Sequence, residues 1–188
     1  MKNLHNLINK ALQLHKEGKI QDAISFYSKA LENKKNDHQL LCLLGTAYIQ
    51  IGNTDQGIEW LKKSISLKYE NAIAHSNLGN ALKDLKRYDE ALASYDKAIK
   101  INPNYSDIYN NRGVALKNLK RYDEALASYD KAIQIKSDNV DAYNNRGNAL
   151  KNLKRYDEAL ASYDKALQIN PNYADAYNNK GNTLKDLK

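Results

Sequence analysis

The chain has 188 residues, of which 42% are hydrophobic and 27% charged, and a formal net charge of +7. Two prolines and eight glycines are too few for an all-β fold with many tight turns. The single cysteine excludes an intramolecular disulfide framework and a cysteine-rich zinc site. Because acidic residues accompany the basic ones throughout, the surplus charge predicts a mixed, solvated surface rather than a nucleic-acid site.

A repeat of 34 residues dominates the sequence. Residues 86–99 recur unchanged as 120–133 and, apart from the last residue, as 154–167. The same step separates five glycines: Gly45, Gly79, Gly113, Gly147 and Gly181. A single domain of residues 1–188 is therefore predicted, built from repeats of a length typical of solenoids. The repeats are 4–37, 38–71, 72–105, 106–139 and 140–173, with a half repeat at 174–188.

Each repeat has the apolar spacing of two helices. In repeat 106–139 the spacing predicts a first helix over 107–119 and a second over 123–135. The first repeat carries Ala11 where the others carry glycine, as expected of a divergent capping repeat. Before later first helices stand three residues of the type that caps a helix N-terminus: Asn104, Asp138 and Asn172.

Neither helix of a pair can bury its apolar face alone, so successive pairs must stack. The pattern predicts an all-α, right-handed superhelical solenoid of antiparallel pairs with about 11 helices in all. Small residues indicate where helices approach most closely, and we expect Gly113 to contact Ala125 within its repeat. The recurring tyrosines are expected to fill the core with their rings.

These repeats resemble the tetratricopeptide repeat family over essentially the whole chain. One set of residues matches the family's pattern in order: His75, Leu78, Gly79, Ala91, Tyr95, Ala98 and Pro103. At the place of Leu78, however, later repeats carry Arg112, Arg146 and Lys180, whose stems we expect to pack while their charges reach solvent. The resemblance implies a concave groove lined by the first helices, and a protein-binding scaffold without catalytic activity.

Asparagine dominates the predicted groove, although it is a poor helix former. A primary amide offers an acceptor and two donors, so one per repeat would grip the backbone of an extended peptide. The asparagine ladders of O-linked N-acetylglucosamine transferases are similar, and residues 76–79 are close to their local motif. The predicted peptide-binding residues are Asn77, Asn80, Asn110, Asn111, Lys117, Asn144, Asn145, Asn148, Lys151, Asn178, Asn179 and Asn182.

The expected partner is a protein or an extended peptide, with no cofactor, catalytic residue, metal ligand, nucleic acid or membrane insertion. The absence of a membrane-length apolar run and of a secretory signal favours a cytoplasmic location. Three alternatives stay open. The chain is the substrate-recruiting N-terminal region of a larger glycosyltransferase-like enzyme, its solenoids stack end to end for a purely structural role, or the asparagines reflect compositional drift.

The half repeat 174–188 ends the sequence with a first helix and no second helix. Tyr177, Leu184 and Leu187 should therefore face solvent as an apolar stripe. We expect self-association through this uncovered helix.

Overall fold

The computed structural model describes residues 2–187, which form 11 α-helices and contain no strand. Met1 and Lys188, the ends of the predicted domain, lie outside the described residues. Odd-numbered helices are the first helices of repeats and even-numbered ones the second. In chain order they are α1 (Lys2–Lys16), α2 (Ile20–Asn33), α3 (His38–Gln50), α4 (Thr54–Leu67), α5 (Ala72–Asp84), α6 (Tyr88–Ile101), α7 (Ser106–Asn118), α8 (Tyr122–Ile135), α9 (Val140–Asn152), α10 (Tyr156–Ile169) and α11 (Ala174–Asp186).

The all-α prediction is confirmed, and α7 and α8 show how closely the helices follow it. Both helices match the predicted spans 107–119 and 123–135 to within one residue at each end. Asp123 and Glu124 occupy the first turn of α8, where the positive end of the helix dipole stabilises acidic side chains.

The turn between the two helices of a repeat passes through the left-handed region of the backbone. Gly18 and Gly52 make this turn in the first two repeats, with φ of 76° and 85°. In the next three repeats a lysine takes the glycine's place, at Lys86, Lys120 and Lys154, with φ of 61°, 61° and 60°. A side chain in this region costs about 1–2 kcal/mol relative to glycine.

The predicted N-caps at Asn104, Asp138 and Asn172 were wrong by one residue. The caps are Tyr105 for α7, Asn139 for α9 and Tyr173 for α11. The connection that follows each second helix is one residue longer than assumed, so the residue after each predicted cap takes the extended position before the helix. Where that residue is asparagine it caps the helix, and Asn139 Oδ1 accepts a hydrogen bond from the amide of Ala142 at 3.0 Å.

Residues up to Leu85 form one compact unit and residues from Lys86 form a second. In the first unit α1 packs on α2 and α3 on α4. Tyr27, Leu41 and Leu61 are fully buried there. A single domain over the whole chain stays a prediction.

In repeats 106–139 and 140–173 a tyrosine ring of the second helix lies against a glycine of the first. A Cβ atom at Gly113 would lie 2.5 Å from a ring carbon of Tyr129, and Gly147 faces Tyr163 in the same way. The nearest neighbour of Gly113 is thus the ring of Tyr129, and the predicted contact with Ala125 stays a prediction. In the first unit, where Leu61 replaces the tyrosine, Gly45 does approach the backbone of Gly57.

The cations found at the place of Leu78 connect adjacent repeats of the second unit. Arg112 Nε donates to Asp96 of the preceding second helix at 2.7 Å, and Arg146 donates to Asp130 at the same distance. Lys180 pairs with Asp164 in the half repeat. Their charged ends therefore reach the surface as expected, and each finds a carboxylate there.

Candidate functional site

The predicted site residues of the second unit lie on α7, α9 and α11, and α9 contacts both of the others. Amides of neighbouring first helices are hydrogen-bonded to one another. Asn145 Nδ2 donates to Asn110 Oδ1 at 3.1 Å, and Asn179 Nδ2 donates to Asn144 Oδ1 at 2.9 Å. Asn145 and Asn179 are thus each held by an asparagine of the preceding first helix, and we call these two bonded pairs the amide line.

The burial of these amides differs along the line. Asn144 is only 5% exposed, so its role is to hold Asn179 rather than to meet a ligand. Asn110, Asn145 and Asn179 are half-buried and keep part of each amide at the surface. Oδ1 of Asn145 has no hydrogen-bond partner among residues 2–187.

Asn148 also contacts the core, because its Oδ1 accepts a hydrogen bond from the hydroxyl of Tyr163 at 2.9 Å. Asn178 and Asn182 are exposed on α11. The side chains of these last two have no hydrogen bond to any described residue.

The remaining predicted residues lie elsewhere. Asn77 and Asn80 belong to α5 in the first unit, where Asn77 Nδ2 donates to Thr46 Oγ1 at 2.9 Å. Asn111 is half-buried on α7.

Four predicted residues, Lys117, Asn148, Lys151 and Asn179, line one cleft of about 690 Å³ in the second unit. We call it the lysine cleft. Its other walls include Lys120, Lys154, Tyr122, Tyr156 and Asp186. The volume is typical of a site that takes up a few side chains of a ligand.

Lys120 and Lys154 were not predicted as site residues. Both stand in the turns after α7 and α9, outside the helices on which the groove was placed. A signal was available, because the 34-residue step aligns both lysines with Gly18 and Gly52. A lysine at a position that favours glycine is a sign of a constraint other than folding.

Charge in the lysine cleft is unevenly balanced. Lys151 Nζ lies 2.9 Å from a carboxylate oxygen of Asp186. Lys117, Lys120 and Lys154 form no ion pair with any residue that the structure describes. The cleft therefore combines amide groups with three uncompensated ammonium groups.

One cysteine of the first unit bears on chemistry. Cys42 is buried on α3, and burial raises the pKa of its thiol to about 11. The thiol is therefore neutral near pH 7, the form that neither attacks an electrophile nor binds a metal ion.

Within residues 2–187, no group of three or more His, Cys, Asp or Glu side chains is placed to hold a metal ion. In the same span, none of the helices has the length and apolar character to cross a membrane.

Family models match most of the chain. Those described as tetratricopeptide repeat match residues 140–173 and 162–188, and one described as TPR repeat matches 79–120 and 118–154. The model of subunit 3 of the anaphase-promoting complex, or cyclosome, matches residues 16–98. Among curated proteins, none matches the sequence.

Several solved structures share the fold. A crystal structure of MamA is 30% identical, covers 87% of this chain and 96% of its own, and superimposes with a TM-score of 0.79. YrrB, described as a TPR protein with an unusual peptide-binding site, is 26% identical over 93% of this chain and 90% of its own, with a TM-score of 0.77. MamA from Desulfovibrio magneticus, at 16% identity, covers 92% of this chain and 98% of its own with a TM-score of 0.83, a likeness of fold alone.

The 34-residue period, the stacked helix pairs, the repeat models and a relative at 30% identity over most of both chains agree with one another. The chain belongs to the tetratricopeptide repeat family.

Proposed function

We propose that the chain is a non-catalytic scaffold that binds an extended segment of a partner protein along α7, α9 and α11. One observation carries the proposal: four of the residues singled out by the repeat pattern line a single cleft, the lysine cleft. Pockets with a few convergent polar groups are the usual places where proteins take up ligands.

The chemistry of the amide line suits a peptide backbone. Each peptide unit offers one N–H and one C=O, and an asparagine amide can pair with both. The Asn145–Asn110 and Asn179–Asn144 hydrogen bonds use one donor of each ladder amide and leave its remaining groups for a ligand. Because neighbours already orient these amides, less side-chain entropy is lost on binding.

The comparisons support the coarser part of this proposal. Proteins of this family act as scaffolds for other proteins, and the YrrB structure is described by its peptide-binding site. Recruitment of substrates to a glycosyltransferase-like enzyme would use the same cleft and stays an alternative, as does end-to-end stacking. A cytoplasmic location also stays a prediction.

The test separates binding from folding by choosing asparagines without structural bonds. Short random peptides displayed on phage are selected against the full chain, and the affinity of a selected peptide is measured by fluorescence polarisation. Asn178→Ala combined with Asn182→Ala should weaken binding about tenfold, since each lost hydrogen bond is worth about 0.5–1.5 kcal/mol. The melting temperature should hold, because neither side chain bonds another described residue.

Asn172→Ala is the matched control. Asn172 is exposed in the turn before α11 and away from the lysine cleft, so its loss should leave affinity unchanged. Equal affinities for the wild type and the double variant would refute the asparagine contacts. Failure to select any peptide would refute peptide binding itself.

A further inference from the structure

The lysine cleft carries an excess of positive charge. Four lysines line it, against the single carboxylate of Asp186. Outside the cleft, the arginines of the unit are paired with carboxylates. The pairs are Arg87 with Glu90, Arg112 with Asp96, Arg121 with Glu124, Arg146 with Asp130, and Arg155 with Glu158. Three of the cleft lysines, Lys117, Lys120 and Lys154, have no carboxylate partner among the described residues, so the cleft keeps unpaired positive charge where a ligand would lie.

Two of the four lysines are kept at a cost to folding. Lys120 and Lys154 hold left-handed backbone conformations, with φ of 61° and 60°. The same chain uses Gly18 and Gly52 at the matching turn positions, so the less strained solution occurs in its own sequence. Strained residues that persist cluster at functional sites. Both lysines line the cleft, whereas Lys86, with the same φ of 61°, does not.

We propose that the segment bound in the lysine cleft is acidic, with Asp or Glu side chains that pair with Lys117, Lys120 and Lys154. This inference rests on the proposed function and adds the chemistry of the ligand to it. The amides hold the main chain of the segment, and the ammonium groups select its side chains. Complementary charge of this kind mainly sets specificity and the rate of association.

The surroundings of the cleft favour a protein segment over a nucleic acid. Guanidinium groups are the preferred bidentate ligands of phosphate, and each arginine of this unit already contacts a carboxylate. Asp123 and Glu124 directly follow the cleft residue Tyr122, and Asp157 and Glu158 follow Tyr156. Glu124 and Glu158 are neutralised by arginines, but Asp123 and Asp157 have no ion pair with a described residue and would disfavour a long polyanion more than a segment with a few carboxylates.

The test compares defined probes by nuclear magnetic resonance titration of the isotope-labelled full chain. One peptide alternates serine with glutamate, and a second of equal length alternates serine with glutamine. The glutamate peptide should bind about tenfold tighter at low salt, because several partly screened ion pairs add up to roughly that factor. Its shifts should centre on residues of the lysine cleft.

A triple variant of Lys117→Gln, Lys120→Gln and Lys154→Gln should bring the affinity of the glutamate peptide down to that of the glutamine peptide. The matched control, Lys131→Gln, Lys136→Gln and Lys165→Gln, has the same net charge but changes exposed lysines outside the cleft. It should retain the preference. Asp186→Asn removes the ion pair of Lys151 and should raise the affinity for the glutamate peptide about threefold. Misfolding would not produce such a gain.

The outcomes separate this inference from the proposed function. Asn178→Ala with Asn182→Ala should weaken both peptides by the same factor, whereas the lysine variant should weaken only the glutamate peptide. Equal binding of the two peptides by the wild type overturns the acidic segment and leaves the peptide scaffold standing. Binding of neither peptide overturns both. Tighter binding of a single-stranded oligothymidylate, lost in the triple variant, overturns the acidic segment in favour of a nucleic acid.

Discussion

The hydroxyl of Tyr163 donates a hydrogen bond to Asn148 Oδ1 at 2.9 Å, joining α10 to α9 within one repeat. One repeat earlier the corresponding residues are Tyr129 and Val114. There the tyrosine hydroxyl is buried and has no partner among the described residues. The two repeats are otherwise nearly identical in these helices, so a single side chain decides whether the buried hydroxyl is satisfied.

Val114→Asn should therefore stabilise the protein. The new amide would accept from the hydroxyl of Tyr129, and a satisfied buried hydrogen bond is worth about 1 kcal/mol. Valine and asparagine have similar helix propensities, so the backbone contributes little. Thermal unfolding followed by circular dichroism should show a higher melting temperature.

The reverse change in the next repeat is the control. Asn148→Val should lower the free energy of unfolding by about 1–3 kcal/mol, because it leaves the hydroxyl of Tyr163 without its acceptor. A Val114→Asn variant that melts below the wild type would show that the hydroxyl of Tyr129 is satisfied by water.

Two glycines of equivalent position should respond oppositely to alanine. At Gly113 an added Cβ would lie 2.5 Å from the ring of Tyr129, whereas at Gly181 it would meet nothing within 4 Å. Gly113→Ala should cost about 1–3 kcal/mol through overpacking. Gly181→Ala should gain up to about 1 kcal/mol from helix propensity. Urea denaturation of the two variants measures the difference, and changes of the same sign would contradict the tyrosine contact.

Lys154→Gly should raise stability and weaken an acidic ligand at the same time. Glycine relieves the left-handed backbone at Lys154, by about 1 kcal/mol, and removes one cation of the lysine cleft. Lys165 lies in the interior of α10, and Lys165→Gly should instead lower the free energy of unfolding by about 1 kcal/mol because glycine is a poor helix former. A lower melting temperature for Lys154→Gly would show that the lysine, not glycine, is the better residue for this turn.

The end of α11 should promote self-association. Tyr177, Leu184 and Leu187 are 55%, 42% and 49% exposed and lie at helical spacing. Sedimentation velocity should show association that rises with concentration and that Leu184→Lys with Leu187→Lys abolishes. Leu12→Lys changes a similarly exposed leucine of α1, 43% exposed, and should have no effect. A wild-type chain that stays monomeric at high concentration contradicts the prediction.

Sequence periodicity was sufficient to predict the helices, because their apolar faces recur at every repeat. It placed the N-caps of α7, α9 and α11 one residue early. Side-chain preference narrows a cap to a short stretch such as residues 138–139, but the length of the turn decides which residue takes the extended conformation. That length depends on how the next pair stacks.

The site was predictable in part for a similar reason. Asn148, Asn179, Lys117 and Lys151 follow from helical geometry on the first helices. The bond from Asn179 to Asn144 depends on the distance between adjacent helices, which no spacing within one helix reveals. Lys120 was not predicted because it lies in a turn, outside the first helices on which the groove was placed.

The ion pairs between repeats have a consequence for how such a chain changes length. A repeat such as 140–173 carries the cation on its first helix and the anion on its second, at Arg146 and Asp164. Exposed pairs of this kind add little stability. A gene duplication or deletion of repeat 106–139 or of repeat 140–173 nevertheless leaves each remaining joint of the second unit with both of its charges. The chain can thus lengthen or shorten by these repeats in one genetic event without a compensating mutation.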